Sequence, residues 1–247
     1  MKLKNILSIS SLSIGYDKNK VLSNINVVVD QPKLITLIGR NGQGKSTLLK
    51  TLTGLIPAIG GGVFFEDKIN KELSHKEKSK LFSVVLTSPP AINNITVKDF
   101  VTYGRYPYTN WLAVKKEEDN WQINQAMELC GITNFVATNI ANLSDGERQK
   151  VALARAIAQN TPIIFLDEPT SHLDLVNQSE LFDLLHQLVE KQAKTIIISS
   201  HQLNLALNYA DEIWLINNGE LEANTPDFFM KSGKIEALFG GLKFKYF

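Results

Sequence analysis

Apolar positions follow three successive rhythms along this chain. In the first third, short runs rich in β-branched residues at 6–14, 25–29, 34–38, 63–65 and 82–86 are separated by turn formers, and each reads as a strand. One helix interrupts them over 45–55. Between about 88 and 160 the apolar residues recur every three or four positions, which predicts helices over 97–103, 119–130 and 148–158 and hence an inserted helical lobe. From Pro162 onward strands at 163–166, 195–199 and 212–216 alternate with helices at 179–191 and 203–209. Leu181, Leu184, Leu185 and Leu188 fall at i, i+3, i+4 and i+7, so one face of the longer helix is set to pack on a sheet. Alternation of this kind predicts parallel βα units and an α/β class. No internal repeat or low-complexity tract occurs, and the aromatic, partly basic tail 228–247 carries no decodable pattern.

Composition narrows the functional classes. The 247 residues, 44% of them hydrophobic, are enough for a large core or two packed lobes. With 26 Lys+Arg against 25 Asp+Glu the formal net charge is +1, so there is no long-range field to gather nucleic acid, and no nucleic-acid partner is expected. Cys130 is the single cysteine, which suits a reducing compartment. Met1-Lys2-Leu3-Lys4-Asn5 leads into no apolar stretch of signal-peptide length, and no run of 18 apolar residues occurs. The expected location is therefore cytoplasmic, with no membrane span in the chain.

The candidate chemistry begins at Gly39-Arg40-Asn41-Gly42-Gln43-Gly44-Lys45-Ser46, which fits G-x-x-x-x-G-K-[ST] between a predicted strand and a predicted helix. Gly39, Gly42 and Gly44 let successive N–H groups point inward at the positive end of a helix, making an anion cradle. Lys45 adds a point charge between β- and γ-phosphates, and the Ser46 hydroxyl suits Mg²⁺. Further on, the apolar strand before Pro169 ends in Asp167 and Glu168. Ligands collect at the carboxyl ends of parallel strands, so Asp167 is expected beside the glycine loop, holding the metal or its water, while Glu168 polarises the attacking water. Alone, the pair would read as a solvated acidic turn. His201 follows another strand directly and could donate to a γ-phosphate oxygen, although a histidine there is by itself more often structural. Asp174 could be no more than a helix N-cap. Ser144 with Glu147 three residues on makes a capping box, a complete local reading, while a helix tip carrying Ser144 and Gly146 is also a second anion site.

Taken in order, the loop 39–46, Leu143-Ser144-Asp145-Gly146-Glu147-Arg148-Gln149, the strand end 165–169, Leu173-Asp174 and Ser200-His201 resemble the nucleotide-binding domain of ABC ATPases, over about 7–218. The resemblance implies a P-loop NTPase core, a mostly parallel sheet with an N-terminal antiparallel β part, plus an inserted α-helical subdomain. It makes 1–247 one ABC ATPase domain, with 1–87 and 161–247 forming the core and 88–160 the helical subdomain. It also implies ATP and Mg²⁺ as cofactors, with Asn41 and Thr47 joining the phosphate cradle and Ser46 and Asp167 holding the metal. Tyr16 matches the aromatic residue that stacks on adenine, the alternative being an exposed turn tyrosine. Glu168, His201 and Lys45 then form the catalytic set. Ser144 and Gly146 match the segment that reaches the γ-phosphate held by the opposite subunit of a head-to-tail dimer, and Asp174 the residue that crosses its seam. The implied partners are a second ATPase subunit, membrane-spanning permease subunits and, indirectly, an extracytoplasmic substrate-binding protein, which would place the chain peripherally on the inner face of the membrane.

Two residues depart from the family pattern. Thr87 stands where a Gln usually meets Mg²⁺ and the attacking water, and its side chain is too short to reach the metal without a bridging water. Asp145 stands where Gly is commoner, and its carboxylate would repel a γ-phosphate unless it turns outward. The segment Val101-Thr102-Tyr103-Gly104-Arg105-Tyr106-Pro107-Tyr108-Thr109-Asn110-Trp111 is similar to that in the ATPase subunits of iron-siderophore, haem or cobalamin importers. Its aromatic residues suit an interface or the lobe's own small core equally. A short permease helix would dock between the lobes near 87–95 and this segment. The alternative function is an ABC ATPase of an exporter or of a soluble assembly that transports nothing.

Overall fold

The computed structural model describes residues 5–17, 19–87, 94–109, 116–171 and 173–239. In chain order the elements of the first half are β1 (Leu7–Tyr16), β2 (Asn19–Val29), β3 (Leu34–Ile38), α1 (Lys45–Leu52), β4 (Gly60–Phe65), β5 (Lys68–Ile69), α2 (His75–Leu81) and β6 (Phe82–Val85). Helices α3 (Val97–Thr102), α4 (Glu117–Leu129) and α5 (Asp145–Ala158) come next. The chain then runs through β7 (Ile163–Asp167), α6 (Leu175–Gln192), β8 (Thr195–Ser199), α7 (Leu203–Tyr209), β9 (Glu212–Asn217), β10 (Glu220–Asn224), α8 (Pro226–Ser232) and α9 (Lys234–Leu238).

Six strands form one sheet in the order β10-β9-β3-β8-β7-β6. All its pairings are parallel except β10 on β9. β3, β7 and β8 are buried at every position, as continuous apolar strands must be when both faces are covered. The second sheet is antiparallel, β2-β1-β4-β5, and β2 alternates Ile25, Val27 and Val29 inward with Val28 outward. In β1 a bulge between Ile9 and Leu12, with Ser11 at φ 45° and its N–H donated to Asn26 Oδ1 at 2.8 Å, resets the alternation so that Leu12 also faces inward.

The core divides along the large sheet. One face, through Ile35, Leu37, Phe165 and Ile197, packs with α1 and the antiparallel sheet. The other, through Leu34, Ile164, Leu166, Ile196 and Ile198, is continuous with α3, α4, α5 and α6, so the helices between β6 and β7 share a core with the sheet. A third cluster joins Ile38 and α7 to Phe229, Ile235 and Leu238 of the C-terminal helices.

Several elements lie beyond the apolar pattern. Helix α2 buries none of its residues and is set by its Ser74–Glu77 capping box, while α8 is capped by Thr225 and opens with Pro226. Helix α6 begins four residues before the expected start, because Asp174 caps it and its first two residues, Leu175 and Val176, point outward at 78% and 68% exposure. The aromatic segment of the lobe is divided. Gly104 lies so close to α5 that a Cβ there would sit 2.4 Å from the Arg155 carbonyl. Arg105 is buried, paired with Asp119 at 2.8 Å and donating to the Ala158 carbonyl at 2.9 Å, while Tyr106 stays 53% exposed. Trp111 lies outside the described residues.

Candidate nucleotide site

The residues singled out in the sequence fall into two groups. The first gathers at the carboxyl edge of β3, β7 and β8. Beyond Ile38 the loop turns through Gly42 at φ 77° and Gly44 at φ 100°, left-handed conformations that favour glycine, and enters α1. A Cβ on Gly44 would also meet Val21 Cγ1 at 2.5 Å. Gly39 serves space instead: its Cβ would press on the Ile216 Cβ and carbonyl at 3.1 Å. Asn41 and Gly42 are exposed at the tip. Lys45, only 5% exposed, donates from Nζ to the Gly39 carbonyl at 2.9 Å and the Arg40 carbonyl at 3.3 Å. Burial lowers its pKa, while the charges of Glu168 and Asp167 pull it back up.

The acidic pair meets this loop. Asp167 Oδ1 accepts from Ser46 Oγ at 2.9 Å and from Ser199 Oγ at 2.8 Å. Glu168 sits at φ 49°, its N–H donated to Ser199 Oγ at 2.9 Å and its Oε1 2.7 Å from His201 Nε2. A left-handed non-glycine residue at such a place stores backbone strain, and the Ser199 hydroxyl is what holds its amide. Thr87 Oγ1 donates to the Asp167 carbonyl at 3.0 Å, so this residue is tied to the end of β7. Tyr16 is 52% exposed, with its hydroxyl 3.5 Å from Thr47 Oγ1. Ser199 escaped the sequence reading. Its signal was a hydroxyl directly after the three isoleucines 196–198, facing the end of another strand that sequence alone does not pair with it.

The second group is at the N-termini of α5 and α6. Ser144 Oγ accepts from the Glu147 N–H at 3.3 Å, and Glu147 Oε2 accepts from the Ser144 N–H at 2.8 Å and hydroxyl at 2.7 Å, bonds that hold its carboxyl below the usual range. Asp145 is paired with Arg148. Asp174 accepts from the Asn177 N–H at 2.8 Å and side-chain amide at 2.9 Å, which lowers its pKa. Ser144, Gly146 and Asp174 line one open cavity of about 570 Å³, and none of its lining residues comes from the loop 39–46.

A glycine loop curled between a buried parallel strand and a helix, with an internal lysine and an acidic strand end beside it, defines a P-loop nucleotide-binding ATPase. The match to known proteins is more specific. Residues 22–171 match the ABC transporter family, and the chain belongs to it. The iron(3+)-hydroxamate import ATP-binding protein of Bacillus subtilis is 35% identical over 240 residues, 94% of this chain and 89% of that protein. The achromobactin transport ATP-binding protein of Dickeya dadantii is 38% identical over 207 residues, 84% of this chain and 77% of that protein. Among solved structures, an ABC transporter of metal-chelate type in an inward-facing conformation has a TM-score of 0.82 at 29% identity, covering 96% of this chain and 89% of that one. The chain is thus an ATP-binding cassette with ATP hydrolase chemistry, and among its described residues no helix is long and apolar enough to cross a membrane.

Proposed function

We propose that this chain powers an importer of an iron chelate such as a siderophore, or of haem or cobalamin, as two head-to-tail copies docked on membrane-spanning permease subunits at the inner face of the membrane. The observation that carries the dimer is the division of the site: Lys45, Ser46, Asp167, Glu168 and His201 form one group, while Ser144, Gly146 and Asp174 open onto a cavity that none of these five lines. A second copy turned head to tail brings its Ser144 tip over the first copy's glycine loop. Leu175 and Val176, apolar and exposed beside Asp174, suit burial at that seam. The cargo class rests on the transport named for the relatives and on the segment 101–111.

In this reading the amides of 42–47 and Lys45 hold the β- and γ-phosphates. The Ser46 hydroxyl and Asp167 carboxylate are hard oxygen donors 2.9 Å apart, a set that fits Mg²⁺, which when bound supplies positive charge against the phosphates. Glu168 accepts the proton of the attacking water, and His201 donates to a γ-phosphate oxygen. Asp145, engaged by Arg148, has its charge partly compensated beside this site. Tyr16 is exposed enough to stack on adenine. A groove of about 260 Å³ lined by Leu55, Val84, Phe100 and Arg155 is where a permease helix would dock, and the neighbouring residues 88–93 lie outside those described.

The test is a set of variants measured with the permease present. Lys45→Ala should lose nucleotide affinity. Ser144→Arg should keep nucleotide binding in the single copy while abolishing ATP-driven dimerisation and transport, and Glu168→Gln should dimerise without turnover. Equal loss of ATP binding in Lys45→Ala and Ser144→Arg would refute the shared site. Uptake of ferric siderophore, haem and cobalamin by membranes carrying the complex decides the cargo.

A further inference from the structure

The second residue of the glycine loop is tied to the far end of the chain. Arg40 Nε donates to the carbonyl of Leu238, the last residue of α9, at 2.7 Å. The Leu238 side chain is 4% exposed and packs in the cluster that contains Ile38, the last residue of β3. The C-terminal helices are therefore linked to the chain on both sides of Gly39, by a hydrogen bond at 40 and by an apolar cluster, shared with α7, that includes Ile38. Gly39 itself is pressed against Ile216 of β9, the strand that leads into β10 and α8. Within the loop, Arg40 donates its N–H to Gln43 Oε1 at 3.1 Å, and its carbonyl accepts from Lys45 Nζ at 3.3 Å. One residue thus joins the C-terminal helices to the lysine of the cradle.

The C-terminal unit is firm enough to act as an anchor. Phe229 and Ile235 are fully buried, Lys234 pairs with Glu222 of β10 at 2.6 Å, and the same lysine lies over the Phe228 ring. The same cluster buries Leu203, Ala206 and Leu207 of α7, the helix that directly follows His201.

We propose that Arg40 is a positioning residue for the phosphate cradle, and that its bond to Leu238 makes the α8–α9 unit a determinant of nucleotide affinity. The inference rests on the nucleotide site proposed above. A loop already fixed at residues 38 and 40 loses less freedom when its amides close on a phosphate, which is the general benefit of preorganisation. Arg40 is exposed and its bond is a single charge-assisted one, so its removal should weaken binding about five-fold, equivalent to about 1 kcal/mol.

The test is equilibrium titration of the purified full chain with a fluorescent ATP analogue and magnesium, for wild type, Arg40→Ala, Ile235→Ala, the double variant and Lys45→Ala. Amide hydrogen exchange across 38–46 without nucleotide accompanies it. Support is a several-fold weaker affinity and faster exchange at 38–46 in Arg40→Ala, a similar loss in Ile235→Ala, and a double variant no weaker than the worse single, since one linkage is broken in each. Binding by Arg40→Ala within two-fold of wild type with unchanged exchange overturns the proposal, as do effects that multiply in the double variant. If Ile235→Ala fails to fold, affinity and exchange in Arg40→Ala decide alone. Wild type and Lys45→Ala binding equally would instead overturn the nucleotide site itself.

Discussion

Replacing Ser199 by Ala removes one oxygen atom, and its consequences can be worked from the bonds it makes. Ser199 is fully buried, donates to Asp167 Oδ1 at 2.8 Å and accepts the Glu168 N–H at 2.9 Å. A buried hydrogen bond to a charged group contributes about 1.5–3 kcal/mol, and leaving a buried N–H without a partner costs a further ~1–3 kcal/mol. Relaxation of Glu168 from its left-handed φ of 49° returns part of this, since such strain costs about 1–3 kcal/mol. The net destabilisation expected is about 2 kcal/mol, a fall of about 4–8 °C in Tm for a chain of this size. The relaxation also moves the Glu168 carboxylate away from His201, so turnover should fall by about ten- to a hundred-fold while nucleotide affinity, held by Lys45 and the loop amides, changes little. Paired calorimetry and steady-state ATPase measurements on the assembled complex test this. A variant with wild-type turnover would refute the idea that the hydroxyl places the acidic pair, whatever its Tm.

Three further outcomes follow from buried groups away from the loop. Burial pushes the Lys194 ammonium down to about 8, and it donates to Asn160 Oδ1 at 2.6 Å. The unfolded chain holds that proton more tightly, so stability should rise with pH from about 8 towards 10.5 by up to about 3 kcal/mol, a rise that denaturant titrations should find missing in Lys194→Met. Cys130 is buried and its thiol is pushed up to about 12, so iodoacetamide at pH 8 should label it only through unfolding; stoichiometric labelling of the native chain within minutes, read by mass spectrometry, would contradict this. Burial alone would raise the Asp119 carboxyl, but the Lys116 amide and the Arg105 guanidinium outweigh it and hold the pKa low. Its contribution is therefore present above about pH 4 and lost as pH falls through the folded value, and Asp119→Ala should cost about 3 kcal/mol in urea unfolding at pH 7 by stranding Arg105.

What could be read in the sequence is what local chemistry decides. The buried runs 34–38, 163–166 and 195–199 were legible because a parallel strand covered on both faces is apolar at most positions and carries no charge along its length, and the loop 39–46 because left-handed turns and an anion cradle ask for glycine. Capping boxes at Ser74 and at Ser144 are equally local, although only the second sat beside an apolar pattern strong enough to draw notice. The apolar pattern of α6 starts only at 179 because Leu175 and Val176 face outward, and β10 carries no strand pattern because it is an antiparallel edge strand with little apolar content.

The chain order of residues therefore determined the α/β class, the glycine loop and the identity of the acidic pair. Only the tertiary structure decided that Ser199 holds both carboxylate residues, that Arg40 reaches Leu238 across 198 positions of sequence, and that Ser144 and Asp174 face a cavity that Lys45 does not line. The reason is one of range. Periodicity, caps and turns are set by neighbours a few residues apart, whereas a hydrogen bond between strand ends depends on the sheet order β3-β8-β7, which the burial of whole faces selects and no local pattern encodes.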